Sequence, residues 1–162
     1  MVRFKNLNNF HAVVYYNKMN GGYSMVDTNC IFCKIAAGDI PSATIYEDNL
    51  FRVIMDISPA SKGHAIILPK NHAADLFSLG ETEAREIFVV AKKVATAMKE
   101  VLGCEGVNIL QNNGEVAGQT VFHLHVHVIP RYKGDEVVIK WPHKENYDYD
   151  FGAIAKELAA KI

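Results

Sequence analysis

No stretch of this 162-residue sequence is apolar for long enough to cross a bilayer, and its first residues lack the charged-then-apolar pattern of a secretory signal. The protein is therefore expected to work in the cytoplasm, away from membranes. Charge of one sign is missing too: 17 Lys and Arg against 18 Asp and Glu leave a formal net charge of −1. Without a broad basic surface there is little to neutralise a phosphate backbone, which argues against nucleic acid as a partner. Cysteine is scarce and odd in number, three in all. In a reducing compartment that count speaks against a disulfide framework and leaves the C-x-x-C pair Cys30 and Cys33 for metal or redox chemistry, with Cys104 beside Gly103 as a small buried residue. Repeats and low-complexity tracts are absent as well. What is plentiful is apolar content, 49%, enough for the core of one domain.

Residues 1–24 differ from the rest in being rich in Asn, Tyr and Lys without a clear period. They are expected to be an N-terminal extension, and Met25 the native start, so that residues 25–162 form the single domain. His11 carries no functional weight. From Asn29 the pattern sharpens. NCIFCKIAAGD reads as a helical turn with Asn29 as its cap and Gly38 as its stop. Strands are predicted at Thr44 to Tyr46, at Leu50 to Met55, within KGHAIILPK and at Val107 to Gln111. Ser78 to Glu81 resembles a capping box, after which Ile87, Ala91, Val94, Met98 and Val101 recur at helical spacing until Gly103. A last helix from about Phe151 places Ile154, Leu158 and Ile162 on one face. Strands joined by short turns with few helices between them predict an α+β fold: an antiparallel sheet of about five strands with one long and one C-terminal helix.

Chemistry concentrates in QTVFHLHVHVIPRY, from Gln119 to Tyr132, which holds three of the seven histidines. Side chains alternate across a strand, so His123, His125 and His127 share one face and Phe122, Leu124, Val126 and Val128 the other. Three rings over roughly 14 Å line a groove and do not meet at a point. Packing alone is a poor reason for such a row, since each buried imidazole needs partners. Two chemistries fit: an H-x-H pair can grip zinc, or a neutral imidazole can attack phosphorus as a nucleophile. The flanking Asn112, Gly114, Gly118, Gln119 and Thr120 supply donors and close backbone approach suited to phosphate oxygens, although an ordinary hairpin turn would use some of the same residues. Asp56, before Ser58 and Pro59, reads by itself as a turn-capping residue. His143 reads as surface.

GQTVFHLHVHVIPRY resembles the signature of the histidine triad family, and NCIFCKI, GDIPSATIYED, DISP, GHAIILPKNH and NNGEVAGQ are similar, in the same order, to its bacterial branch. The likeness covers about Asn29 to Tyr132, plus a C-terminal helix. It implies a nucleotide hydrolase that cleaves nucleoside phosphoramidates or dinucleoside polyphosphates through a nucleotidyl-histidine intermediate. His125 takes the nucleophile's position and His127 a supporting one at the phosphate and leaving group; Gln119, Thr120 and Asn112 fall at the phosphate. Asp56 matches the ribose-binding position, and Ile31, Phe32, Ile35 and Ile54 match a base pocket for a purine nucleotide or nucleotide conjugate. His64 corresponds to a histidine near the active site, with an indirect role.

In branches that keep the cysteine pair, the resemblance further implies one structural zinc per chain, held by Cys30, Cys33, His72 and His123, and a homodimer contacting through the helix after Ser78 and the strand before Asn112. Rival readings are a nucleotide-binding regulatory module with incidental catalysis, nucleotidyl transfer to a second substrate, and a zinc-dependent metallohydrolase built on His123, His125 and His127. The last leaves Cys30, Cys33 and His72 without a purpose.

Overall fold

The computed structural model of the chain describes residues 14–19, 22–141 and 148–162. His11 and His143 lie outside the described residues. In chain order the elements are β1 (Val14–Met19), β2 (Gly22–Asp27), α1 (Ile31–Ala37), β3 (Thr44–Glu47), β4 (Phe51–Met55), β5 (Ala65–Pro69), α2 (Glu81–Leu102), β6 (Gly106–Leu110), a single 3-10 turn (Glu115–Ala117), β7 (Val126–Arg131) and α3 (Phe151–Ala159). β1 and β2 form an antiparallel pair of their own, and the boundary expected at Met25 falls inside β2. The other five strands make one antiparallel sheet in the order β3-β4-β5-β7-β6. The α+β architecture is the one the sequence predicts. No helix among the described residues is long and apolar enough to cross a membrane.

Alternation along the strands assigns the two faces of this sheet. Phe51, Val53, Ala65, Ile67, Val126 and Val128 point to one side and pack with Ile87, Val90, Ala91, Val94 and Met98 of α2. Each Val, Ile, Phe or Met side chain among them contributes about 1.5–3 kcal/mol on burial, so this layer is the main core. Ile54, Ile66 and Leu68 point to the other side and pack with Ala36, Phe32 and Ile35 of α1. His127 sits opposite Ile66 in the ladder, so it emerges on the α1 face. The sheet therefore separates a greasy layer under α2 from a mixed layer in which histidines meet α1.

Three local expectations change. The residue just before α1 is Cys30, extended and without a side-chain cap, so the N-cap position falls one residue after Asn29, whose amide donates to Asp27 Oδ1 at 2.8 Å. The capping box does not form either, because Ser78 closes a local turn with Asp75 (Ser78 Oγ to Asp75 Oδ1, 2.8 Å) and α2 begins only after Gly80. Val101 is 80% exposed, whereas its neighbour Leu102 packs on the core. Over the last turn the 100° step per residue carries position 101 off the stripe and brings 102 toward it. Gly38 ends α1 as predicted, at φ 90°, and Arg52 Nη1 donates to the Ile35 carbonyl at 2.8 Å, fastening the helix end to β4.

Candidate functional site

The row of histidines is less of a strand than its alternation suggests. β7 begins at Val126, so His123 and His125 precede it, and Phe122, expected on the same face as Leu124, Val126 and Val128, is 49% exposed and outside their core. The alternation survives in the packing, because Leu124, Val126 and Val128 still enter the α2 core. The rings of His125 and His127 stand 4.9 Å apart at 76°, closer than the roughly 7 Å repeat of a straight strand.

His123, wholly buried, belongs to a different group from its two successors. Its Nδ1 lies 3.5 Å from Cys30 Sγ and 3.5 Å from Cys33 Sγ, and Cys33 Sγ lies 3.3 Å from His72 Nδ1. All four ligand atoms fall within 4.8 Å of one another. Sulfur at about 2.3 Å and nitrogen at about 2.1 Å from a tetrahedral zinc are separated by about 3.6 Å, so the donor set and its spacing fit that ion. The other nitrogen of His123 donates to the Pro69 carbonyl at 2.9 Å, which fixes the tautomer that presents Nδ1 to the cluster. Hydrogen bonding from Cys33, then from His123 and His72, lowers the Cys30 thiol; sharing that bond with Cys30, together with burial, raises Cys33; and hydrogen bonding to Cys30 raises His72. A metal-free cluster thus favours one thiolate over two, and a divalent cation would release the second proton.

His125 is also buried, but its neighbours are a carbonyl and aromatic edges. Its Nδ1 donates to the His123 carbonyl at 2.8 Å, and the Phe32 ring meets it edge-on at 5.0 Å. Burial pushes its pKa below the usual histidine range. A neutral ring with Nδ1–H committed to a carbonyl keeps its lone pair on Nε2, the requirement for attack on phosphorus. His127, pushed down to about 4 by burial and then by the neighbouring His125 and His64, is likewise neutral. Its Nδ1 lies 2.9 Å from His64 Nε2, with Asp56 Oδ2 beyond at 3.9 Å. His64, expected to act only indirectly, therefore touches a triad ring. Among the described residues the three triad histidines do not converge on one point: His123 groups with Cys30, Cys33 and His72, His127 with Asp56 and His64, and His125 with neither, which argues against a three-histidine metallohydrolase site.

Around these rings the remaining candidates divide. Asp56 Oδ1 accepts the Ser58 amide at 2.8 Å, the turn role its sequence suggests, and Oδ2 faces His64 at 3.6 Å. Phe32, Ile35 and buried Ile54 form one apolar patch, while Ile31 is 51% exposed at the helix start. Gln119, placed at the phosphate by resemblance, is 3% exposed, accepts from the Gly114 amide and donates to the Ala74 and Val121 carbonyls at 2.6 and 3.0 Å, so its side chain holds the loop. Thr120 is exposed, and Asn112 Nδ2 reaches only the Gly118 carbonyl at 3.4 Å. The groups that sequence reasoning missed are backbone ones: the carbonyls of Pro69 and His123 and the amide of Ala60, which donates to His64 Nδ1 at 3.1 Å.

Residues 37–134 match the HIT domain. Protein hit of Bacillus subtilis is 44% identical over 139 residues, covering 82% of this chain and 96% of that protein. An adenosine 5'-monophosphoramidase of Schizosaccharomyces pombe is 39% identical over 135 residues, covering 83% and 98%. Among solved structures, a HIT family member from Bacillus subtilis superposes with a TM-score of 0.76 at 42% identity, covering 83% of this chain and 97% of that one. A zinc-bound histidine triad family protein from Mycobacterium smegmatis gives 0.64 at 36% identity, covering 81% and 96%. With the domain match spanning most of the sheet and relatives aligned nearly end to end, this chain belongs to the HIT domain family.

Proposed function

We propose that this protein hydrolyses nucleoside phosphoramidates or dinucleoside polyphosphates to a nucleoside monophosphate, with His125 as nucleophile. The observation that carries the reading is the 2.8 Å bond from His125 Nδ1 to the His123 carbonyl, which leaves Nε2 with the lone pair on a neutral, buried ring. In the first step a bond forms between His125 Nε2 and the α-phosphorus, and the phosphorus–nitrogen or phosphorus–oxygen bond to the leaving group breaks. The leaving group departs with that electron pair and takes a proton from solvent. In the second step water attacks the same phosphorus and gives up a proton to solvent, the phosphorus–Nε2 bond breaks with its electron pair returning to the neutral ring, and nucleoside monophosphate is released. The ring gains positive charge as it attacks, beside the negative phosphoryl oxygens, with Thr120, Asn112 and His127 as donors.

Phe32, Ile35, Ile54 and Ile31 would take the base, and the free oxygen of Asp56 the ribose. A purine nucleotide agrees with the named activity of the fission yeast relative. Structural zinc, one per chain on Cys30, Cys33, His72 and His123, would tie α1 to the sheet beside the nucleophile. The domain of residues 25–162 is supported by Met25, whose amide donates to Asn71 Oδ1 at 3.3 Å and whose carbonyl accepts from the His72 amide at 2.7 Å. A homodimer through α2 and the sheet-edge strand β6 would cover exposed Phe88, Val89, Val101 and Ile109; light scattering at micromolar concentration tests it. The deciding experiment mixes the protein with adenosine 5'-phosphoramidate, quenches in denaturant and seeks an adenylyl group on the His125 peptide. A turnover-competent protein with no adduct there sinks the mechanism.

A further inference from the structure

Asp56, His64 and His127 form a second group whose ligand atoms lie within 4.8 Å of one another. Their separations are 2.9 Å between the two imidazole nitrogens and 3.6 and 3.9 Å from these to Asp56 Oδ2, short enough for one divalent cation to reach all three. The backbone opposes that use. The amide of Ala60 donates to His64 Nδ1, so this nitrogen carries the ring's lone pair and the proton of the neutral ring sits on Nε2. A protonated nitrogen donates and cannot ligate a metal. The acceptor within its reach is His127 Nδ1 at 2.9 Å, since Asp56 Oδ2 at 3.6 Å lies beyond hydrogen-bond range. His127 Nδ1 then holds a lone pair, and the proton of that ring is left on Nε2.

We infer that His64 is a positioning residue: held by the Ala60 amide, it fixes His127 as a neutral ring whose one proton is on Nε2, available to the substrate's phosphoryl or leaving atoms. The inference rests on the reading of His127 as a donor to substrate, and adds to it the group that sets which nitrogen donates. Asp56 explains why such a group is needed. Without His64, the nearest acceptor to His127 Nδ1 is the Asp56 carboxylate, which draws the proton to the wrong nitrogen. Burial lowers the pKa of His64 and, to about 4, that of His127, so both rings are neutral near pH 7 and the hydrogen bond between them has a defined direction.

The test uses the full-length, zinc-loaded protein with adenosine 5'-phosphoramidate as probe, comparing His64→Ala, His64→Asn and His64→Gln. Asn keeps an acceptor for the Ala60 amide but falls short of His127, whereas Gln extends an amide N–H to the place of His64 Nε2. Removing an oriented donor to a charged transition state costs about 10- to 100-fold in rate, so kcat in the Ala and Asn variants should fall by that factor with KM within about threefold. The Gln variant should recover most of the loss. Nitrogen-15 NMR should find His127 protonated on Nε2 in wild type and Gln variant, and shifted toward Nδ1 in the other two. Equal losses in Gln and Ala variants, an unchanged His127 tautomer in His64→Ala, or a second equivalent of manganese or zinc that His64→Ala fails to bind would each overturn the inference. A wild-type protein inert toward the probe speaks against the hydrolase reading instead, and the tautomer measurement then decides the role of His64 by itself.

Discussion

Two histidine clusters are bridged by one aromatic ring, Phe32, at 6.0 Å from His123 and 5.0 Å from His125, yet their protons are arranged in opposite ways. Around Cys30, Cys33, His72 and His123, lone pairs converge: His123 spends its proton on the Pro69 carbonyl, turning its other nitrogen toward two sulfurs. Around His125, His127 and His64, donors and acceptors alternate in chains that begin at the backbone, at the His123 carbonyl and the Ala60 amide. Convergent lone pairs suit a cation, and alternating protons suit a directed hydrogen bond. Histidine composition does not separate the two; the backbone group that holds each ring does.

The sharpest way to break this contrast is to remove a ring from one cluster and ask what the other loses. Replacing His125 with Ala deletes the proposed nucleophile while leaving every cluster ligand in place. Turnover should fall on the order of 10^4-fold or more, with zinc still bound at the wild-type ratio by metal analysis. If zinc is lost along with activity, the clusters are one unit and the division of labour is wrong.

The converse change is Cys30→Ser, or extraction of metal with a strong chelator. Here the expected first effect is on the fold: metal content falls below one per chain, and the melting temperature drops on the order of 10 °C in a thermal scan. Activity should decline through α1, which starts just after Cys30 and carries Phe32 against His125. Activity that vanishes at a temperature where the variant is still fully folded would instead give zinc a part in the chemistry.

α1 links the two clusters, and Arg52 anchors its far end. Arg52→Met removes the donor to the Ile35 carbonyl and the ion pair with Glu47 at 2.7 Å, but keeps much of the apolar stem. A charge-assisted bond of this kind contributes about 1.5–3 kcal/mol at most, and the partly exposed pair with Glu47 adds little. We expect a stability loss of about 1–2 kcal/mol in denaturant unfolding and a several-fold rise in KM with kcat nearly kept. A drop in kcat alone would place Arg52 in the reaction and not in the helix.

Much of this contrast is legible in the sequence, and the limit has a physical cause. The alternation of His123, His125 and His127 with apolar residues reports which side chains share a face, and resemblance groups Cys30, Cys33, His72 and His123. Neither reports which ring nitrogen carries a proton, since that is decided by carbonyls and an amide whose directions depend on turns at Ala60 and Pro69. Gln119 shows a related limit: an amide donates and accepts, so its residue type suits a phosphate and a loop equally, and its bond to the Ala74 carbonyl depends on the fold and not on the motif. The capping box at Ser78 failed because Asp75, three residues earlier, offers that hydroxyl a closer partner than the helix start. Strand order was readable as a class but not as β3-β4-β5-β7-β6, which places β6 at the sheet edge after a crossing over α2.

The smallest effect follows from proton alternation itself. His127 is held near 4 in the folded chain against 6.5 when unfolded, so between those values the unfolded chain binds a proton that the folded one refuses. Its contribution to stability is therefore complete above about pH 6.5 and is lost as the pH falls through 4; His64, lowered by its own burial, acts in the same direction. NMR titration of His127 should give a midpoint near 4, and the gain in stability from pH 4.5 to pH 7 should be smaller in His127→Gln than in wild type. A midpoint well above 7 would mean that the ring is charged at neutral pH. His127 would then bear protons on both nitrogens, the bond from His64 could not run as the Ala60 amide dictates, and the two clusters would differ in ligand type but not in proton order.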